Sequence, residues 1–361
     1  MTIIKKASLA SRITNMNINT LRMADFCLLS LVLACLGCGG GEKAAQDDND
    51  QDAPQLFAYG WAKDDGVRQA DPMRWNPDVI EIVGGQWRMH YEYHTDSDPT
   101  MRIYSAVSSD GLTWTDDPGV RLTNANMPSA IVLPNGKVRL FYNSAGVIKS
   151  AVSDDGLAFE EENGTRLQKT EADEDGGVRH PDVLRLSNGQ YLMFYDAEQT
   201  SDNTYRIKVA TSADGLSFDN KRIVIEPSAF HAINLTYVDS LTTPGTLVDD
   251  SGTVNVYFSV RGATGDTTKV GIYLAKSANQ GTTFSLQPGP IISAFRIDSV
   301  YSGPQDPAPT AMPGGGPKGV LLDGRWRTDR LFGYLQCQSQ IAATCNVELV
   351  PGQPKHPAHH S

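Results

Sequence analysis

Two short segments set a carboxylate beside a proline, ahead of an apolar run: Asn76-Pro77-Asp78-Val79-Ile80 and His180-Pro181-Asp182-Val183-Leu184. Proline fixes φ and removes a backbone donor, so each segment opens a strand rather than continuing a helix. Two carboxyl groups brought to one site can divide acid and base work. One activates water and the other supplies a proton, provided that exclusion of water raises one pKa. Asp78 and Asp182 are therefore candidate site residues. Trp75, next to the Asp78 segment, is a candidate stacking surface. Arg179, His180, His94, Asn143, Asp196, Arg261 and Asp306 are candidate ligand-binding groups.

These residues belong to a segment written four times. Starting at Pro77, Pro128, Pro181 and Pro244, each copy reaches a Gly-Gly, Asn-Gly or Ser-Gly pair at Gly84-Gly85, Asn135-Gly136, Asn188-Gly189 and Ser251-Gly252. Such pairs suit hairpin turns, where φ is positive. An aromatic-rich second strand follows, then a third, then a turn: Ser108-Ser-Asp-Gly, Ser153-Asp-Asp-Gly, Ser212-Ala-Asp-Gly and Ser277-Ala-Asn-Gln-Gly. The turn aspartates Asp110, Asp155 and Asp214, with Asn279, read as structural, and Trp114, Phe159, Phe218 and Phe284 as core plugs opening a fourth strand. Four-stranded units at such a period predict an all-β, five-bladed β-propeller over residues 55–350. Its fifth unit is degenerate, starting near Asp306, and Leu56–Trp61 pairs with the last blade to close the ring. The residue after the proline varies (Asp78, Ser129, Asp182, Gly245). So do the second-strand ends, which carry Glu92, Asn143, Asp196 and Ser259, and two residues on His94, Ala145, Glu198 and Arg261. Divergence on one rim of a regular scaffold points to a ligand site there.

The pattern resembles the five-bladed propeller glycoside hydrolases, the arabinanase and β-xylosidase group with the invertase and mannoside-phosphorylase groups as relatives, over most of residues 70–325. The resemblance implies a central funnel with carboxylates at the strand starts. Asp78 then matches a general base and Asp182 a second aspartate that tunes pKa, acting on an oligo- or polysaccharide by hydrolysis of a glycosidic bond. Where the family carries its glutamate acid, this chain reads Asp239-Ser-Leu-Thr-Thr-Pro244-Gly245, which leaves Asp239 or Glu198 for that role. The resemblance leaves room for calcium in the central channel, but no ligand cluster demands a metal or other cofactor. Two rivals stand beside it. One is a carbohydrate-binding propeller without catalysis. The other is a sialidase-like enzyme, suggested by Ser277–Phe284, against which stand the unit count and the late position of Phe295–Ile297.

Residues 1–25 carry Lys5, Lys6, Arg12 and Arg22 against Asp25, and Phe26–Leu36 is mostly apolar but too short for a membrane span. Val32-Leu33-Ala34-Cys35 resembles a bacterial lipobox, with Cys38 as the second candidate for lipidation. Residues 1–35 are thus expected to be a lipoprotein signal peptide, 36–54 an acidic flexible tether and 351–361 a disordered tail. The expected location is the bacterial cell envelope, at the outer membrane or cell surface. An oxidising envelope permits a disulfide between Cys337 and Cys345, with two free thiols as the alternative. The net charge of −11 argues against nucleic acid and anionic lipid as partners and suits a neutral glycan. A monomer is expected.

Overall fold

A computed structural model describes residues 61–63, 73–233, 238, 240–261, 271–293, 295–297, 300–302, 304–311, 317–323 and 331–337, all within the unit Pro54–Ser361. Cys35, Cys38, Asp239, Cys345, the signal peptide, the tether and the tail lie outside them. For Asp306 and Cys337 the backbone alone is described.

The described chain is almost entirely antiparallel sheet, in five meanders. Their first strands are Arg74–Ile82, Asn126–Val132, Gly177–Arg185, Ser240–Val248 and Pro304–Ala311. Their second strands are Gln86–Tyr93, Val138–Ser144, Tyr191–Gln199, Val254–Arg261 and Pro317–Asp323. The third strands are Arg102–Ser108, Val147–Ser153, Thr204–Ser212, Gly271–Ser277 and Leu331–Cys337. In the first four meanders a short fourth strand follows the Ser-x-Asp or Ser-x-Asn turn. In the fifth that place is taken by Trp61–Lys63, which pairs antiparallel with Leu331–Cys337 from the other end of the chain. The closing segment expected at Leu56–Trp61 is thus paired from Trp61 onward, and its earlier residues lie outside the described set. The third and fourth meanders form one nine-stranded sheet through a single parallel pair, Tyr205 with Ser240. The five first strands pack in sequence around a centre, the fifth returning to the first. This is β-propeller architecture, and each meander is called a blade below.

The core lies between blades. One layer joins Phe194, Leu241, Phe258 and Tyr273 of the third and fourth blades. Another joins Phe141, Tyr195 and the turn plug Phe218 of the second and third. Each fully buried aromatic side chain contributes about 1.5–3 kcal/mol by leaving water. At the outer turns, Asp155 Oδ1 accepts the N–H groups of Leu157 (2.8 Å) and Ala158 (3.0 Å) and the Ser153 hydroxyl (2.8 Å). Asp110 and Asp214 do the same in their own blades, and Asn279 Oδ1 accepts the Thr283 N–H and the Ser277 hydroxyl in the fourth. Arginines staple these turns to the preceding blade: Arg88 Nη1 donates to the Asp155 carbonyl (2.5 Å) and Arg139 Nη1 to that of Asp214 (3.2 Å).

Candidate active site

Every first strand is interrupted at the same point. The ladder shifts register between Trp75 and Asp78, Asn126 and Ser129, Arg179 and Asp182, Thr242 and Gly245, and Gln305 and Ala308. In each case a residue and the proline after it bulge out of the sheet. The fifth, Asp306-Pro307, shows that the degenerate unit keeps the register of the others. The pre-proline residues Asn76, Met127, His180 and Thr243 sit at φ of 47, 53, 47 and 53°. Asn and His tolerate this left-handed region, whereas a β-branched Thr there is strained. The second strands supply the compensation. Glu92, buried, accepts the Asn76 amide in its own blade (2.8 Å) and the backbone N–H of Met127 in the next (3.2 Å). Asp196, fully buried, accepts His180 Nδ1–H in its own blade (2.6 Å) and the backbone N–H of Thr243 in the next (3.2 Å). A carboxylate thus holds two strained bulges at once.

The bulges line an open-mouthed cavity formed by Asn76, Pro77, Asp78, Met127, Pro128, His180, Pro181, Asp182, Thr243, Pro244 and Pro307. Asp78 and Asp182 meet there, drawn from strands about a hundred residues apart in sequence. Each also reaches into the following blade. Asp78 Oδ2 accepts the N–H of Ala130 (2.6 Å), and Asp182 Oδ2 accepts the Thr246 hydroxyl. Ser129 does likewise from the blade between them: its Oγ accepts the N–H of Val183 (3.0 Å) and lies 3.5 Å from Asp182 Oδ1. The variation after the proline therefore has a common structural part, an acceptor oxygen for the next blade. Gly245, where a Cβ would collide with the Pro307 carbonyl, and Ala308 in the fifth blade lack such an oxygen.

A serine meets that structural need, so two carboxyl groups in its place demand another account. Burial pushes the Asp78 carboxyl up to about 8, and the charge of Asp182 pushes the same way, against the N–H groups of Ala130 and Val79. Burial also raises Asp182, to about 6, against the hydrogen bonds from Thr246 and Ser129. Around neutrality such a pair holds one proton and one negative charge. Asp196 behaves oppositely. Burial would raise its pKa, but His180, Arg179 and the Thr243 N–H hold it below the usual carboxylate value, so it stays ionised.

The remaining candidates fall into place around this cavity. Glu198 lies outside its lining, ion-paired to Arg179 at 3.0 Å, and Arg179 stacks over the Tyr205 ring at 4.5 Å. Asn143 is buried and donates to the Val178 carbonyl (3.0 Å), a link between the second and third blades. Trp75 stacks on His94 at 5.6 Å, and His94 Nδ1 is 3.4 Å from Glu92, which puts both on the rim outside the lining. Arg261 ends the fourth blade's second strand, opposite Ser240. Phe295–Ile297 forms a hairpin with Val300–Ser302. Among the described residues, the cluster with metal-ligand types is Glu171, Asp173 and Glu174, outside the cavity. The buried Lys208 ammonium already sits on all three, at 2.6, 2.8 and 3.1 Å, so this set does not fit calcium.

No family model matches the chain, and no curated protein matches it. Solved structures do. The chain is similar to a thermostable family-43 glycoside hydrolase at 16% identity, covering 76% of this chain and 95% of that one with a TM-score of 0.59. It is similar to an endo-1,4-β-xylanase from Bacteroides thetaiotaomicron at 14% identity, covering 73% and 89%, TM-score 0.56. An endo-arabinase from the same organism matches at 14% identity over 78% of this chain and all of the other, TM-score 0.55. At such identities the likeness establishes the fold, the β-propeller that these glycoside hydrolases share.

Proposed function

We propose that the protein is a glycoside hydrolase of the bacterial cell envelope, anchored through a lipid on Cys35 or Cys38, that hydrolyses a glycosidic bond of an oligo- or polysaccharide bound over the central cavity. The observation that carries this reading is the meeting of Asp78 and Asp182 at one cavity, both raised by burial, in a fold shared with glycoside hydrolases. Near neutral pH the pair holds one proton and one negative charge, and the charge is assigned to Asp182, which has the Thr246 and Ser129 groups to answer it. Asp182 takes a proton from water as the water oxygen bonds to the anomeric carbon and the glycosidic C–O bond breaks, and the departing oxygen takes a proton from a group of the cavity wall. The sequence resemblance assigns the base to Asp78 and tuning to Asp182, the reverse of this reading. Glu198, fastened to Arg179 outside the lining, is a poor proton donor in this arrangement.

A carbohydrate-binding propeller without catalysis is the second reading. It is favoured by the hydrogen bonds that Asp78 and Asp182 already accept from neighbouring blades, the service Ser129 performs without a charge. Product release from arabinan, xylan, fructan, mannan and aryl glycosides, beside Asp78→Asn and Asp182→Asn, separates the two. Hydrolysis lost in both variants supports the enzyme. Glycan binding without hydrolysis by the wild-type protein supports the binding module.

A further inference from the structure

Two groups at the cavity can give the departing oxygen its proton, the Asp78 carboxyl and the His180 imidazolium. We propose that His180, oriented by Asp196, donates that proton; the inference rests on the hydrolase reading above. His180 lines the cavity and stands on the same bulge as Asp182, across Pro181. Its Nδ1–H donates to Asp196 Oδ1 at 2.6 Å, and the fully buried Asp196 is further fixed by the Thr243 N–H at 3.2 Å and by Arg179 Nε at 3.7 Å. An ionised buried carboxylate on Nδ1 sets the tautomer and stabilises the imidazolium, which leaves Nε2 for the ligand. The charged groups facing this ring are Asp196 from the second strand, Arg179 and Asp182 from its own strand, and Asp78 from the first blade, with Glu198 beyond Arg179.

The first blade supplies an internal control. Asn76 holds the same position at the same φ of 47° and makes the same bond, to Glu92 at 2.8 Å. An amide is therefore enough to clamp the bulge. The imidazole in the third blade adds a transferable proton that the clamp does not use. In the step itself the glycosidic C–O bond breaks, its electron pair stays on the departing oxygen, and that oxygen takes the Nε2 proton. The attacking water gives its oxygen to the anomeric carbon and one proton to Asp182. Afterwards Asp182 releases its proton to solvent and His180 regains one, so the net change is the consumption of one water.

The test uses His180→Asn in the full chain, a change that copies the first blade's Asn76 and is compatible with the left-handed backbone. Wild type and variant are compared on the unactivated glycan cleaved in the panel and on the 2,4-dinitrophenyl glycoside of the same sugar, whose leaving group needs no proton. The expected kcat/KM loss is about 10²–10⁴-fold on the glycan and less than about tenfold on the activated substrate. Asp196→Asn, which removes the carboxylate that orients the ring, should likewise lose more on the glycan than on the activated substrate. Equal losses on both substrates, or no loss, overturn the assignment, and a selective loss in Asp78→Asn instead transfers the role to Asp78. If the wild type cleaves nothing, the hydrolase reading fails and this inference falls with it. If cleavage depends on Asp182 but is indifferent to His180, the inference fails alone.

Discussion

The aspartates of the outer turns and those of the central bulges are the same side chain under opposite instructions. Asp110 and Asp155 stand in solvent, accept two consecutive backbone N–H groups and a serine hydroxyl, and are held at about 2. Asp214 shifts the same way, led by the N–H groups of Leu216 and Ser217. Asp78 and Asp182 are half-buried at the cavity, where desolvation outweighs the hydrogen bonds they accept, and are pushed up. The outer position tolerates Asn279, whose Oδ1 accepts one backbone N–H and the serine hydroxyl, so a charge is not required there. The inner position is filled by a carboxylate in two blades, a hydroxyl in one and no side chain in another. The difference teaches that in this repeat architecture the recurring aspartate builds the scaffold, and on the proposed reading the non-recurring one carries the chemistry.

The comparison breaks most severely at the inner pair. Asp182→Asn should lower kcat/KM on the cleaved glycan by at least about 10³-fold, about 4 kcal/mol of transition-state stabilisation, whereas Asp110→Asn should leave it within about twofold. Gly245→Ala, which forces a methyl group against the Pro307 carbonyl, should reduce stability by about 3 kcal/mol in denaturant unfolding. Ser129→Ala leaves the buried Val183 N–H without its acceptor and should lower stability by about 1–3 kcal/mol in the same assay. Asp155→Asn should change stability by less than about 1 kcal/mol, because Asn279 shows that the amide keeps the turn.

The pH dependences of these variants have opposite signs. The folded pKa of Asp155 is depressed, so its contribution is present above the unfolded value near 4 and lost as pH falls through about 2. The folded pKa of Asp78 is raised, so its contribution is present below about 4 and lost as pH rises through about 8. Melting temperatures of Asp78→Asn against wild type should therefore shift in the variant's favour as pH rises from 4 to 8, with the wild type losing its relative advantage.

Much of the scaffold was legible because each blade's own pattern is local. The prolines, the hairpin glycines, the Ser-x-Asp-Gly turns and the aromatic plugs lie within one repeat and can be superposed by eye. Asp78 and Asp182 were legible as candidates because proline marks their strand starts. What the sequence hid is what crosses between blades. Glu92 binding Met127 and Asp196 binding Thr243 span 35 and 47 residues, and the Arg88 and Arg139 staples span 67 and 75. Strand periodicity carries no record of such partners. The left-handed bulge was hidden too, since Met127 and Thr243 are poor residues for it and are held there by the preceding blade. One signal was available: Pro307 follows Pro244 by the same 63 residues that separate Pro244 from Pro181, which places Asp306 in register with Asn76 and His180.

The most direct test of the account is a ¹³C carboxyl NMR titration of the aspartates in the wild-type protein, assigned with Asp78→Asn, Asp182→Asn and Asp155→Asn. The account predicts two inner carboxyls that titrate together, with apparent midpoints near 6 and 8, and turn carboxyls that titrate near 2. Removing either inner carboxyl should lower the midpoint of the other wherever their charges interact. A wild-type protein in which every aspartate is fully ionised by pH 5 would contradict it, because no carboxyl at the cavity would then hold a proton at neutral pH.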